Sequence, residues 1–148
     1  NYQAPERYAI GTVDIEEDYT FIHAMWPYGA HSPAESTKER LTHLPSVCIR
    51  SSNGSLAAWE LMNSMGMMTH LFTLEAHRRK GLGLLVENLL SQCLIGEDVY
   101  VFKYVSKSNA HIVNSTKRNP FWSQWTTLDD QGEKREMMWT FSGFKYTG

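Results

Sequence analysis

The dipeptide Asn53-Gly54 sits inside SVCIRSSNGSLAAWELM, Ser46 to Met62, between two strand-like runs. Asn-Gly supplies the positive φ angles that a two-residue hairpin needs, so the two runs pair antiparallel. Gly66 then separates the second run from MMTHLFTL, Met67 to Leu74, which reads as a third strand of the same meander. A chain that folds back on itself twice here is not a strict βα alternation, and a dinucleotide-binding fold is disfavoured.

The flanking segments complete the order. YAIGTVD, Tyr8 to Asp14, reads as a first strand. From Ile15 to Tyr28 the apolar residues Ile15, Tyr19, Ile22 and Trp26 recur at helical spacing, and Pro27 and Gly29 stop that helix. Ser32-Pro33-Ala34-Glu35 has the pattern of a capping box opening a second helix to about Leu44, which Pro45 closes. Leu82, Leu85, Val86, Leu89, Leu90, Cys93 and Leu94 mark one face of a third helix ending at Gly96. Asp98 to Val105 is an aromatic and β-branched strand. A short helix runs to about Lys117, and Phe121 to Leu128 and Glu136 to Phe141 form the final pair of strands around Asp129-Asp130-Gln131-Gly132.

A chain of 148 residues carrying a formal charge of −2 is one domain with room for a core, and nothing in that balance suggests general nucleic-acid binding. Cys48 and Cys93 lie in apolar runs and read as buried free thiols of a reducing compartment, cytoplasm or mitochondrion. No run reaches the length of a membrane span. The six histidines show no metal-ligand spacing, so no metal is expected. Because the chain starts at Asn1 without methionine, we expect the single domain 1–148 to be a piece of a longer chain.

The stretch HRRKGLGLLVENLL, His77 to Leu90, carries the most specific chemistry. A helix opening at Gly81-Leu82-Gly83 presents unpaired backbone N–H groups and the positive end of its dipole. Glycine lets a bulky anion approach the main chain, and Arg78, Arg79 and Lys80 add full charges. The place suits a phosphate-bearing ligand. It is not a Walker A loop, since GxxxxGK[ST] is absent.

Strand, RxxGxG and helix, preceded by a meander and followed by strand, helix and two strands, resemble the GNAT superfamily of acyl-CoA N-acyltransferases. The finer resemblance is to the C-terminal domain of glycine N-acyltransferase-like (FR47-like) proteins. It is carried by FIHAMWPYG (Phe21 to Gly29), Leu44 to Met62, FTLEAHRRKGLG (Phe72 to Gly83), VYVFKYVSKSNA (Val99 to Ala110) and WSQW (Trp122 to Trp125). The resemblance implies an α/β (α+β) GNAT fold, with a mixed, mostly antiparallel central sheet of about seven strands and about four helices. It implies acyl-CoA or acetyl-CoA as co-substrate and a small amine acceptor, glycine or another amino acid, with neither nucleic acid nor membrane as partner. An N-terminal domain of related shape, or a homodimer, belongs to the same expectation.

The resemblance also assigns residues. Main-chain groups of Leu71, Phe72 and Thr73 would pair with the pantetheine arm, and amides from Arg78, Arg79, Lys80, Gly81, Leu82 and Gly83 would hold the pyrophosphate. Strands Met67–Leu74 and Val99–Val105 would splay apart around the cofactor, with Asn109 nearby. A backbone N–H at Leu71 or Phe72 could donate to the developing oxyanion. The family's glutamate base and following arginine fall on Met67 and Thr69, so both family charges are missing, and Asn114-Ser115-Thr116 lacks the tyrosine acid of many relatives. His70, Glu60 and Tyr104 are the substitute candidates. Strand alternation puts His70 on the face opposite Met67 and Thr69 unless a bulge intervenes. Glu60 is more readily a solvated strand carboxylate than a base, and Tyr104 could reprotonate the thiolate. The rival expectation is a GNAT-shaped module that binds acyl-CoA, or serves in assembly, without catalysis.

Overall fold

The computed structural model describes residues 2–141. The hairpin expected at Asn53-Gly54 is present: β2 (Val47–Ser51) and β3 (Leu56–Met62) are antiparallel neighbours, with Gly54 alone of the pair at positive φ (86°) and Ser51 N–H donating to the Ser55 carbonyl (2.9 Å) across a turn longer than two residues. With β1 (Tyr8–Gly11) and β4 (Met68–Thr73) they form one antiparallel sheet in the order β1-β2-β3-β4. The second sheet joins β5 (Phe102–Lys103), β6 (Trp122–Leu128) and β7 (Lys134–Phe141) in the order β5-β7-β6. The helices are α1 (Ile15–Ala24), α2 (Glu35–His43), α3 (Leu82–Gly96) and α4 (Ala110–Arg118).

The seven strands and four α-helices among the described residues, in an α/β arrangement, are what the sequence led us to expect. The strands divide into two sheets, however, and every pairing among the described residues is antiparallel. The division falls between β4 and β5, which share no ladder. β5 is also much shorter than Asp98 to Val105. Val99 still donates to Leu94 at the end of α3 (2.9 Å), and Val101 accepts from Phe141 (3.1 Å), so the segment leaves the helix late and pairs only from Phe102.

Two further expectations are corrected. Ser32 does not cap α2: that helix follows Ala34 with no side-chain cap bond. Ser32 instead gives its carbonyl to His23 Nε2 (3.0 Å), fixing the turn between α1 and α2. Cys48 is buried, but Cys93 is exposed, because α3 turns Ser91 and Leu94 inward instead.

α3 lies across both sheets. Leu82, Leu85 and Val86 pack on Ile49, Ala57 and Ala58 of the first sheet. Leu90 and Leu94 pack with Met62, Met68, Val101, Trp122, Trp139 and Phe141, so one apolar cluster spans the seam that the hydrogen bonds do not. Full burial of such side chains stabilises by about 1.5–3 kcal/mol each. α1 and α2 cover the other face of the first sheet, where Ile22 and Leu41 meet Trp59 and Leu61.

Candidate cofactor cleft and reaction centre

The loop from β4 into α3 is built by two left-handed residues, Arg79 (φ 60°) and Gly81 (φ 75°). Gly81 is the N-cap of α3, and no side chain caps the helix. The first amides of α3 therefore keep free N–H groups at a positive helix end. No acidic residue lies in that first turn. A Cβ on Gly83 would come within 3.3 Å of Thr73 Oγ1, so this glycine lets α3 start tight against the end of β4.

The three basic residues divide their work. Arg78 Nε donates to the Thr73 carbonyl (3.1 Å). Lys80 Nζ donates to Tyr8 Oη (3.0 Å) and the Ala76 carbonyl (3.3 Å), while Tyr8 Oη meets His77 Nδ1 at 2.9 Å. Both side chains brace the loop. Arg79, exposed like its two neighbours, makes no hydrogen bond or ion pair among the described residues, which leaves its charge free at the helix mouth.

Among the described residues β4 pairs only with β3, so its other edge faces the seam. Leu74 donates to the Ala57 carbonyl and Phe72 stands opposite Trp59. In an antiparallel ladder the groups alternate, which turns the main chain of Phe72 toward β3 and that of Leu71 and Thr73 toward the free edge. Arg78 occupies the Thr73 carbonyl. The edge therefore offers Leu71 N–H and C=O and Thr73 N–H, while the main chain of Phe72 faces β3. Asn109 is exposed and caps α4, accepting from Ile112 N–H (3.3 Å).

A bulge interrupts β4. The register runs from Trp59↔Phe72 to Leu61↔Thr69, so His70 and Leu71 together oppose Glu60, and His70 takes a left-handed φ of 57°. Alternation slips by one residue, and His70 joins the face of Trp59 and Phe72. Its ring stacks on Trp26 (centroids 5.8 Å) and meets Trp59 edge-on (5.9 Å). Burial, reinforced by the charges of Arg40 and His23, lowers the imidazole pKa from 6.5 to about 4.

Glu60 takes the opposite face, against α3. It is only 1% exposed, so the solvated reading is overturned. Among the described residues its Oε2 has no hydrogen-bond partner, and the charges that act on it are Glu87 and Lys103. Burial, and then the Glu87 carboxylate, raise its pKa well above 4.5 against the pull of Lys103. Glu87 is ion-paired to Lys103 and accepts from Trp122 Nε1 (2.9 Å), and Lys103 lies over the Trp122 ring. This cluster joins β3, α3, β5 and β6 beneath the seam. Sequence reading missed Glu87 and Lys103. Their signals were a carboxylate inside the apolar run LLVENLL and the inward position of Lys103 between two outward aromatic residues.

The structure does not bring the three candidate catalytic groups together. His70 and Glu60 occupy opposite faces of one sheet, and Tyr104 lies past the end of β5, 58% exposed. Met67, where the resemblance would put a base, is half-buried. Trp122, Met62 and Met68 are core, whereas Trp125 and Met65 are exposed.

The FR47-like protein family matches residues 47–114, from β2 through the loop into α4. Glycine N-acyltransferase of Bos taurus is 24% identical over 128 residues, covering 82% of this chain and 43% of that protein. The Mus musculus protein of the same name is 22% identical, covering 83% of this chain and 44% of its own. The chain thus spans less than half the length of these curated relatives. Among solved structures, a Drosophila protein superposes with a TM-score of 0.72 at 19% identity, covering 95% of this chain and 44% of that one. The ribosomal-protein-S18-alanine N-acetyltransferase of Escherichia coli gives 0.63 at 16% identity, with 95% and 97% coverage. A Salmonella typhimurium structure described with its cofactor acetyl-CoA gives 0.62 at 15%, with 90% and 91% coverage. These likenesses show the fold.

Proposed function

We propose that this chain, GNAT-like in sequence pattern and fold, is the acyl-CoA-binding domain of an N-acyltransferase that passes an acyl group directly to a small amine such as glycine or another amino acid. The observation that carries the reading is the uncapped start of α3 at Gly81 beside the unpaired edge of β4. The donor set fits a diphosphate: free amides at a helix end, no acidic residue in the first turn, and the exposed Arg79. The edge groups of Leu71 and Thr73 fit the amides of a pantetheine arm, which would add as a short strand.

The chain's own residues then divide the chemistry. Leu71 N–H, at the bulge, is the donor for charge developing on the thioester oxygen; such a donor is worth about 3–4 kcal/mol. An alkyl ammonium costs about 4–5 kcal/mol to deprotonate at pH 7. His70, its pKa lowered to about 4, is a poor acceptor for that proton. Glu60, displaced upward, is better matched but is enclosed beneath β4. Tyr104 is exposed and free to approach a leaving thiolate. Positioning supplies most of the rate in this reading, about 7–11 kcal/mol where geometry is good. The compartment, cytoplasm or mitochondrion, and the presence of an N-terminal domain or a second copy belong to the same proposal.

Free-thiol release from acyl-CoA in the presence of glycine tests it. We expect release that depends on the amine and rises about tenfold per pH unit below the amine pKa, as unassisted deprotonation requires. A second reading follows from Met67 and Thr69 standing where relatives carry charges: an acyl-CoA-binding or assembly module without turnover. Tight binding with no thiol release at any pH favours that module.

A further inference from the structure

His70 carries a left-handed backbone. Among the described residues, both of its ring nitrogens are buried without a hydrogen-bond partner, as is the Trp59 indole Nε1 that meets it edge-on. Buried polar atoms of this kind are rare, because leaving each unsatisfied costs about 1–3 kcal/mol. A strained non-glycine residue held at a bulge marks a place that the surrounding structure over-determines.

The neighbourhood is cationic. The Arg40 guanidinium lies on the Trp26 ring (4.5 Å), and Trp26 in turn stacks on His70. Arg40 is held there by the Ser36 carbonyl (3.2 Å) and by Thr37 Oγ1 (3.0 Å). Thr37 is completely buried and also meets His23 Nδ1 at 2.8 Å. His23 Nε2 donates to Ser32 O, and in the neutral ring Nδ1 accepts from the threonine hydroxyl. This chain orients Arg40 without neutralising it, and no carboxylate pairs with Arg40 among the described residues.

An indole N–H, one imidazole N–H and an uncompensated guanidinium field favour an acceptor with negative charge over a neutral one. We propose that Trp59 and His70, in the field of Arg40, form a subsite for a small carboxylate beside the β4 bulge. Under the transferase reading, on which this use of the subsite rests, the carboxylate is that of the amine acceptor or that at the far end of a dicarboxylic acyl group.

The direct test is NMR of the His70 imidazole nitrogens in the whole chain, titrated with N-acetylglycine and with its primary amide. The carboxylate shifts the resonances and the amide does not. Arg40→Met weakens the carboxylate by about tenfold, and Arg40→Lys restores part of it. An equal response to the amide overturns the proposal. So does unchanged affinity in Arg40→Met, or no shift at all, which would leave an ordered water only. Glycine against glycinamide, and succinyl-CoA against acetyl-CoA, then locate the source: Arg40→Met raises KM selectively for whichever substrate bears the carboxylate. If coenzyme A thioesters fail to bind while the His70 shift persists, the transferase reading falls and the subsite stands.

Discussion

His70 shows how far a single residue can be read before the fold is known. Its position on a strand was legible, and so was its chemistry, but its side of the sheet depended on one extra residue opposite Glu60. Nothing in MMTHLFTL signals that bulge. The consequence is measurable. The folded-state pKa, about 4, lies below the unfolded value of 6.5, so the native state binds fewer protons between those values. Stability is therefore full above about pH 6.5 and declines as pH falls toward 4, by at most about 3 kcal/mol. His70→Asn removes the titration and tolerates the left-handed backbone. Urea denaturation across pH 4–7 should show a flatter profile for this variant than for the parent protein; parallel profiles would mean the imidazole is solvated.

Glu60 was misjudged for the complementary reason: a carboxylate on a strand reads as solvated until the helix and the next sheet are placed around it. Its folded pKa is raised, so its contribution has the opposite sign. Stability is full below the unfolded value of 4.5 and is lost as pH rises through the folded pKa. Glu60→Gln should therefore gain on the parent progressively as pH rises above 4.5, read by thermal unfolding at several pH values. A constant difference between the two proteins would contradict the buried, protonated state.

At the scale of elements, the hairpin, the meander, α3 and the closing β6–β7 pair were all legible, because Asn53-Gly54, the apolar spacing of α3 and the Asp129–Gly132 turn are local signals. β5 was over-extended, since an aromatic and β-branched run does not reveal that its first half remains tied to α3. The capping box at Ser32 failed because that serine was drawn into the α1–α2 turn. The loop before α3 was legible in its charges and glycines, but its division of labour was not. Arg79 at φ 60° is strained by about 1–2 kcal/mol relative to glycine. Arg79→Gly should raise the melting temperature while weakening coenzyme A binding. Loss of both together would mean that the side chain braces the loop as Arg78 and Lys80 do.

The whole molecule is two sheets held by one helix, with an apolar cluster and a buried charge cluster crossing the same seam. Lys103→Met leaves Glu87 buried without its cation and should cost about 3–5 kcal/mol, read by urea denaturation. Adding Glu87→Gln should recover most of that, with the amide still accepting from Trp122; no recovery would place the cost in lost packing. The seam also separates the unpaired edge of β4 from β5, and the proposed function rests on a ligand entering there. Calorimetry with coenzyme A and its thioesters tests this most directly, comparing the parent chain with Arg79→Glu/Gly83→Glu. The account predicts measurable heat for the parent and its loss in the double variant. An absence of heat in a folded parent, or equal affinity in the two proteins, would contradict it.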